Sequence, residues 1–89
     1  MDQLKHYIHQ QIFDYSGQYP LIISSDNYLI ISWYSESAEV RIEKDYYNDG
    51  YWDVFFQDYI KGYSQHYHLT YNELYYIIDY IMDTYYPGG

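Results

Sequence analysis

The stretch from Ala38 to Gln57 constrains the fold more than any other. In Ala38-Glu39-Val40-Arg41-Ile42-Glu43-Lys44-Asp45, the apolar Ala38, Val40 and Ile42 alternate with Glu39, Arg41, Glu43 and Asp45. Side chains on a strand point alternately to its two faces, so a period of two predicts a half-buried strand with one charged face. Asn48-Asp49-Gly50 follows, and it is the strongest turn signal in the chain, because Asn, Asp and Gly accept the positive φ of a tight hairpin. Tyr51-Trp52-Asp53-Val54-Phe55-Phe56-Gln57 then predicts a partner strand. Its inward side carries Trp52, Val54 and Phe56, and its outward side carries Tyr51, Asp53, Phe55, Gln57 and Tyr59. A chain with this hairpin at its centre folds around an antiparallel sheet.

The flanking sequence fits that sheet. Leu4, Ile8, Ile12 and Tyr15 recur at helical spacing and predict a helix over residues 2–15, which Ser16-Gly17 ends. Pro20 opens a β-region, with one short strand from Leu21 to Ser24, a turn at Ser25-Asp26-Asn27 and a second strand from Tyr28 to Tyr34. Gly62 to Leu69 reads as a loop or a ragged edge strand. Thr70-Tyr71-Asn72-Glu73 is a capping box, and the helix behind it has Leu74, Ile77, Ile78, Ile81 and Met82 on one stripe before Pro87-Gly88-Gly89. The expected architecture is α+β in a single domain over residues 1–89. It consists of an N-terminal helix, a four-stranded antiparallel meander sheet and a C-terminal helix, with both helices packed on one face.

Charge narrows the function classes. Thirteen Asp and Glu face only four Lys and Arg, for a net charge of -9, and 17 of the 89 residues are tyrosine. Lys5, Arg41, Lys44 and Lys61 are too few and too dispersed to make a track for nucleic acid, so direct binding of DNA or RNA is not expected. The field instead attracts basic proteins. An AT-rich genome would raise Ile, Tyr, Asn and Asp, but it would raise lysine too. With three lysines in the chain, the acidic balance reads as selected rather than drifted.

Catalytic and metal chemistry find little support. Cysteine is absent, which removes thiolate ligands, disulfides and a Cys nucleophile. No nucleophile elbow, phosphate-binding glycine loop or His-Glu-x-x-His helix is present, so no enzyme is expected. His6 and His9 share a helix face, and His66 and His68 share a strand face if that segment is extended. Four imidazoles could hold zinc if the segments met, but no zinc signature is matched, and neither metal nor cofactor is expected. The opening Met1-Asp2-Gln3-Leu4-Lys5-His6 lacks the regions of a signal peptide, and no apolar run approaches the ~20 residues that span a membrane. A cytoplasmic protein without membrane contact is expected.

Acidic and aromatic residues together define the candidate binding surface. Alternate residues on one strand face lie about 6.6 Å apart, so Glu39, Glu43 and Asp45, joined across the turn by Asp53 and with Asp49 at the tip, would form a carboxylate row. Such a row approximates the phosphates of DNA, which carry one charge per ~3.4 Å of axis on each strand. Tyr46, Tyr47 and Tyr51 flank the tip, where arginines of a partner could both pair with carboxylates and stack on rings. On the last helix Tyr76, Asp79, Tyr80 and Asp83 lie away from the apolar stripe and extend the surface. Tyr15, Tyr75 and Tyr85 are expected to line the core edge.

A small, strongly acidic, cysteine-free α+β domain of this kind resembles the phage and mobile-element inhibitors of host defence. These include anti-CRISPR proteins and inhibitors of restriction enzymes or of uracil-DNA glycosylase. Leu4-Lys5-His6-Tyr7-Ile8 is similar to the opening of one uracil-DNA glycosylase inhibitor, although the apolar pocket such inhibitors use for a protruding leucine is not legible in this sequence. The resemblance implies a DNA mimic in the host cytoplasm. It would occupy the basic nucleic-acid or PAM-binding cleft of a defence nuclease such as a CRISPR effector. The alternative from the residues is a tyrosine-rich interaction module or homodimeric structural protein whose acidity keeps it dispersed. A small enzyme or a tyrosine platform for polysaccharide ranks third.

Overall fold

A computed structural model of the chain describes residues 2–87. Helix α1 (Asp2–Ser16) leads into strands β1 (Leu21–Ser24), β2 (Tyr28–Trp33), β3 (Ala38–Lys44), β4 (Trp52–Asp58) and β5 (Gly62–Leu69), and helix α2 (Tyr71–Tyr85) follows. The strands form one antiparallel sheet in the order β1-β2-β3-β4-β5. The meander therefore has five strands, one more than the sequence predicts, because the segment from Gly62 to Leu69 pairs with β4 along its length.

One face of the sheet carries the core. Leu29 and Ile31 of β2, Val40 and Ile42 of β3, and Val54 and Phe56 of β4 are buried together with Leu4, Ile8 and Ile12 of α1 and Leu74, Ile78, Ile81 and Met82 of α2. Because both helical stripes enter this single cluster, both helices cover the same sheet face. Each of these side chains contributes about 1.5–3 kcal/mol by leaving water. The opposite face is left to solvent, and it displays Glu39, Arg41, Glu43, Asp53, Phe55 and Gln57 along the central hairpin.

Local chemistry sets the element ends. The Thr70 side chain accepts from the Glu73 amide while the Glu73 carboxylate accepts from the Thr70 amide, so the capping box closes in both directions. Beyond α2, Tyr86 turns back into the core, where its hydroxyl donates to Asp58 and its ring packs on Trp33 and Phe56. The Trp33 indole N–H is buried without an acceptor. Between β2 and β3 the chain reverses through Tyr34, Ser35 and Glu36, all in the left-handed region with φ of 54°, 53° and 70°. Gly62 has φ of 131°, and a Cβ there would meet the Tyr85 ring at 3.3 Å.

Candidate functional site

The structure brings part of the expected carboxylate row together. Glu39 and Glu43 stand on the open face of β3, and Glu43 lies directly opposite Asp53 of β4. Two like charges in cross-strand register repel, and Arg41 beside Glu43 and the His68 amide on Asp53 offset that repulsion. Arg41 sits between the two glutamates on the same strand, with guanidinium nitrogens 3.6 Å from Glu39 and 3.7 Å from Glu43. The row is therefore an acidic field with one cation embedded in it. Beside it a shallow depression of about 590 Å³ opens between Glu39, Arg41, Phe55, Gln57, Tyr59 and Tyr63. It combines carboxylate with ring faces, the two groups that a guanidinium contacts.

Asp45 does not belong to that row. The ladder ends at Lys44, and the Asp45 side chain is only 7% exposed. Its Oδ1 accepts from the amides of Tyr47 at 3.0 Å and Asn48 at 3.3 Å, and its Oδ2 accepts from the Asn48 side chain. His68 Nδ1 lies 2.8 Å from the same Oδ2. The Tyr47 amide leads the contacts that hold this carboxyl below its usual range; burial opposes it, and Asn48 and His68 reinforce it. Asp45 is the organiser of the loop before β4 rather than a contact residue.

That loop displays the aromatic residues as the sequence implies. Tyr46 and Tyr47 are 91% and 88% exposed, with rings edge-to-face at 5.3 Å, and Tyr51 is exposed at the end of the loop. Asp49 projects from the tip, and Lys44 Nζ lies 3.6 Å from it. A second shallow hollow, of about 440 Å³, lies between Asn27, Lys44, Asp45, Tyr46, Tyr47 and Asp49. Asp53 is half-buried, and its Oδ1 accepts from the His68 amide at 3.1 Å.

The α2 residues divide. Tyr76 and Tyr80 are exposed, and Tyr80 stands edge-on to the His66 ring at 5.7 Å. Asp79 and Asp83 instead lie along the seam with α1, where Tyr7 donates to Asp79 and Tyr15 donates to Asp83. Burial, followed by the hydrogen bond and charge of Asp79, pushes the Tyr7 hydroxyl up to about 12. The bond to Asp83 raises Tyr15 as well. Asp79 and Asp83 thus join the helices and are remote from the hairpin face, which separates them from the surface expected of them. Tyr75 and Tyr85 are half-buried against the core, as read from the sequence.

Sequence reasoning missed Asp58 and the role of Arg41. Asp58 is 6% exposed at the end of β4 and accepts from Ile60 at 2.8 Å, from Lys61 at 3.0 Å and from Tyr86. Burial resists its ionisation, but these donors and the Lys61 charge outweigh burial and hold the carboxyl below its ordinary value. The signal was an Asp placed just before a turn, where its carboxylate can accept amides two and three residues on.

The histidines do not converge. His66 pairs with Val54 and so faces the helix side of the sheet, whereas His68 adopts φ of 57° at a register shift and meets Asp45. The two do not share a face, contrary to the expectation for an extended segment. Among the described residues no group of three or more His, Asp or Glu is arranged to hold a metal ion, and no helix is long and apolar enough to cross a membrane. No protein-family model matches the chain, and no curated protein or solved structure matches it either.

Proposed function

We propose that the protein is an acidic decoy. It docks the open face of the β3–β4 hairpin and its tip into the basic nucleic-acid cleft of a defence nuclease, such as an RNA-guided effector, and excludes DNA. One observation carries this reading: the chain's own cations are all engaged within it. Lys5 lies 3.5 Å from Asp2, Arg41 bridges Glu39 and Glu43, Lys44 reaches Asp49, and Lys61 sits over the Tyr86 ring at 5.5 Å. Since 13 Asp and Glu face these four cations, a net charge of -9 remains after such pairing, and with the exposed tyrosines it is what the surface offers a partner. Glu39, Glu43, Asp49 and Asp53 stand in for phosphates, and Tyr46, Tyr47 and Tyr51 supply ring faces to arginines between them.

The test is an affinity pull-down from bacterial lysate at low salt, eluted with a salt gradient, followed by DNA cleavage assays on the nuclease recovered. The expected result is stoichiometric inhibition that DNA competes and salt weakens, because contacts between exposed charges are screened. Charge reversal is placed at Glu39, Glu43 and Asp49, since reversal at Asp45 would dismantle the loop it organises. Inhibition that survives this triple reversal overturns the decoy mechanism.

A further inference from the structure

The two edges of the sheet are built differently, and the difference points to a second interaction surface. Strand β1 is four residues long, follows Pro20, and has Ser24 engaged by Lys5 of α1 at 3.3 Å. Short length, proline and a lysine are devices that blunt a sheet edge against pairing. Strand β5 has none of them. It is eight residues long, and Gly62-Tyr63-Ser64-Gln65-His66-Tyr67-His68-Leu69 contains no Asp, Glu, Lys, Arg or Pro, in a chain where 13 of 89 residues are acidic.

The register shows which main-chain groups this edge leaves open. The Asp45 amide bonds to the Tyr51 carbonyl and the Tyr59 amide to the Ser37 carbonyl, which makes odd-numbered β4 residues the ones that face β3. Even-numbered β4 residues therefore face β5, where Phe56 pairs with Ser64 and Val54 with His66. Since bonding direction alternates along a strand, the N–H and C=O of Tyr63, Gln65 and Tyr67 point outward. The Tyr85 hydroxyl donates to the Tyr63 carbonyl at 3.0 Å, which fits that direction. Among the described residues no sixth strand lies beyond β5.

We infer that two copies of the protein join edge to edge through β5, antiparallel about a two-fold axis at Gln65, to make one continuous ten-stranded sheet. Three observations select a second copy as the occupant. The outward residues read Tyr63-Gln65-Tyr67, symmetric about Gln65, so the strand is complementary to itself in the way a two-fold interface requires. In this register Gln65 faces its counterpart and Tyr63 faces Tyr67 of the partner subunit, which pairs the outward main-chain groups of all three residues while one lone pair of the Tyr63 carbonyl stays with the Tyr85 hydroxyl. The same pairing sets Tyr63, 73% exposed, against the partner's Tyr67, 53% exposed, as cross-strand ring pairs on the open face. Finally, an uncharged edge is where a copy of net charge -9 meets least repulsion. A basic extended segment of another protein would find no carboxylate on β5 to meet it. The inference does not rest on the decoy reading: it is argued from the β5 edge, and shares only Tyr63 and Gln65 with the depression beside Glu39 and Arg41.

Sedimentation from micromolar to near-millimolar protein tests it, with amide hydrogen exchange as the site-specific readout. A dimer is expected, and it should tighten as salt rises, because screening relieves repulsion between the copies. Exchange at Tyr63, Gln65 and Tyr67 should slow with protein concentration while exchange at Tyr46 and Tyr47 does not. Gln65→Pro removes the central donor at a position where an edge strand tolerates proline, and should weaken the dimer by about tenfold or more. Should that variant fold poorly, the double change Tyr63→Glu and Tyr67→Glu carries the test by placing like charges opposite each other. A protein that stays monomeric throughout, a dimer that survives both variants, or concentration-independent exchange at the three amides overturns the inference.

Discussion

Asp45 and Asp58 use the same device, the first just past the end of β3 and the second at the end of β4. Each places one carboxylate oxygen on the amides two and three residues later, so each folds the turn that follows it and is nearly buried in doing so. Asp58 has the Tyr86 hydroxyl in addition, and a hydrogen bond to a charged acceptor is worth about 1.5–3 kcal/mol. Tyr86→Phe should therefore lower unfolding free energy by about 2 kcal/mol in urea titrations, with little change in the sheet. The β2–β3 turn offers the opposite prediction. Glu36 has φ of 70°, a conformation that an L-residue adopts at a penalty of roughly 1–2 kcal/mol and glycine does not. Glu36→Gly should raise the denaturation midpoint, and an unchanged midpoint would show that the turn is not strained there. These residue-level roles were only partly legible. The alternation through Ala38–Asp45 predicts that Asp45 shares a face with Glu43, but although its amide still bonds across to Tyr51, its carboxylate is drawn onto the Tyr47 and Asn48 amides and His68.

At the level of elements, the sequence spoke clearly wherever aliphatic residues carried the period. The stripes of Leu4, Ile8 and Ile12 and of Leu74, Ile78 and Ile81, together with the alternation in β3 and β4, define helices and strands that the structure reproduces. Strand β5 was obscured because its inward residues are Ser64 and His66, which pack toward α2 rather than into an aliphatic core. Its period of two is present without a hydrophobic phase. The seam between α1 and α2 escaped for a related reason. Asp79 and Asp83 are polar and one turn apart, so they read as solvated, although Tyr7 and Tyr15 on the other helix are hydroxyls in need of acceptors. The capping box was legible in full, and Thr70→Ala should cost about 1 kcal/mol in thermal or chemical unfolding. Asp45→Ala should leave the helices intact yet speed amide exchange at Tyr47 and Asn48, which separates loop order from global stability.

Across the whole molecule, stability should vary with pH according to the groups that folding shifts. Tyr7 titrates near 12 when folded and near 10 when unfolded, so its contribution is complete below pH 10 and lost as pH climbs through 12. Tyr86 is shifted in the same direction, by burial first and then by Asp58. Absorbance at the tyrosinate band should show Tyr7 and Tyr86 ionising only as the protein unfolds. On the acid side Asp45, Asp58 and Glu73 have lowered values, so their contribution holds above the ordinary carboxylate range and disappears as pH falls below it. The tyrosine–aspartate seam between α1 and α2 also bears on how the molecule comes to exist. Its bonds join residues 72 and 68 positions apart in the chain. During synthesis α1 leaves the ribosome well before α2, so Tyr7 and Tyr15 have no acceptors until Asp79 and Asp83 have followed. The contacts that join the two helices can thus form only after every strand between them has been made.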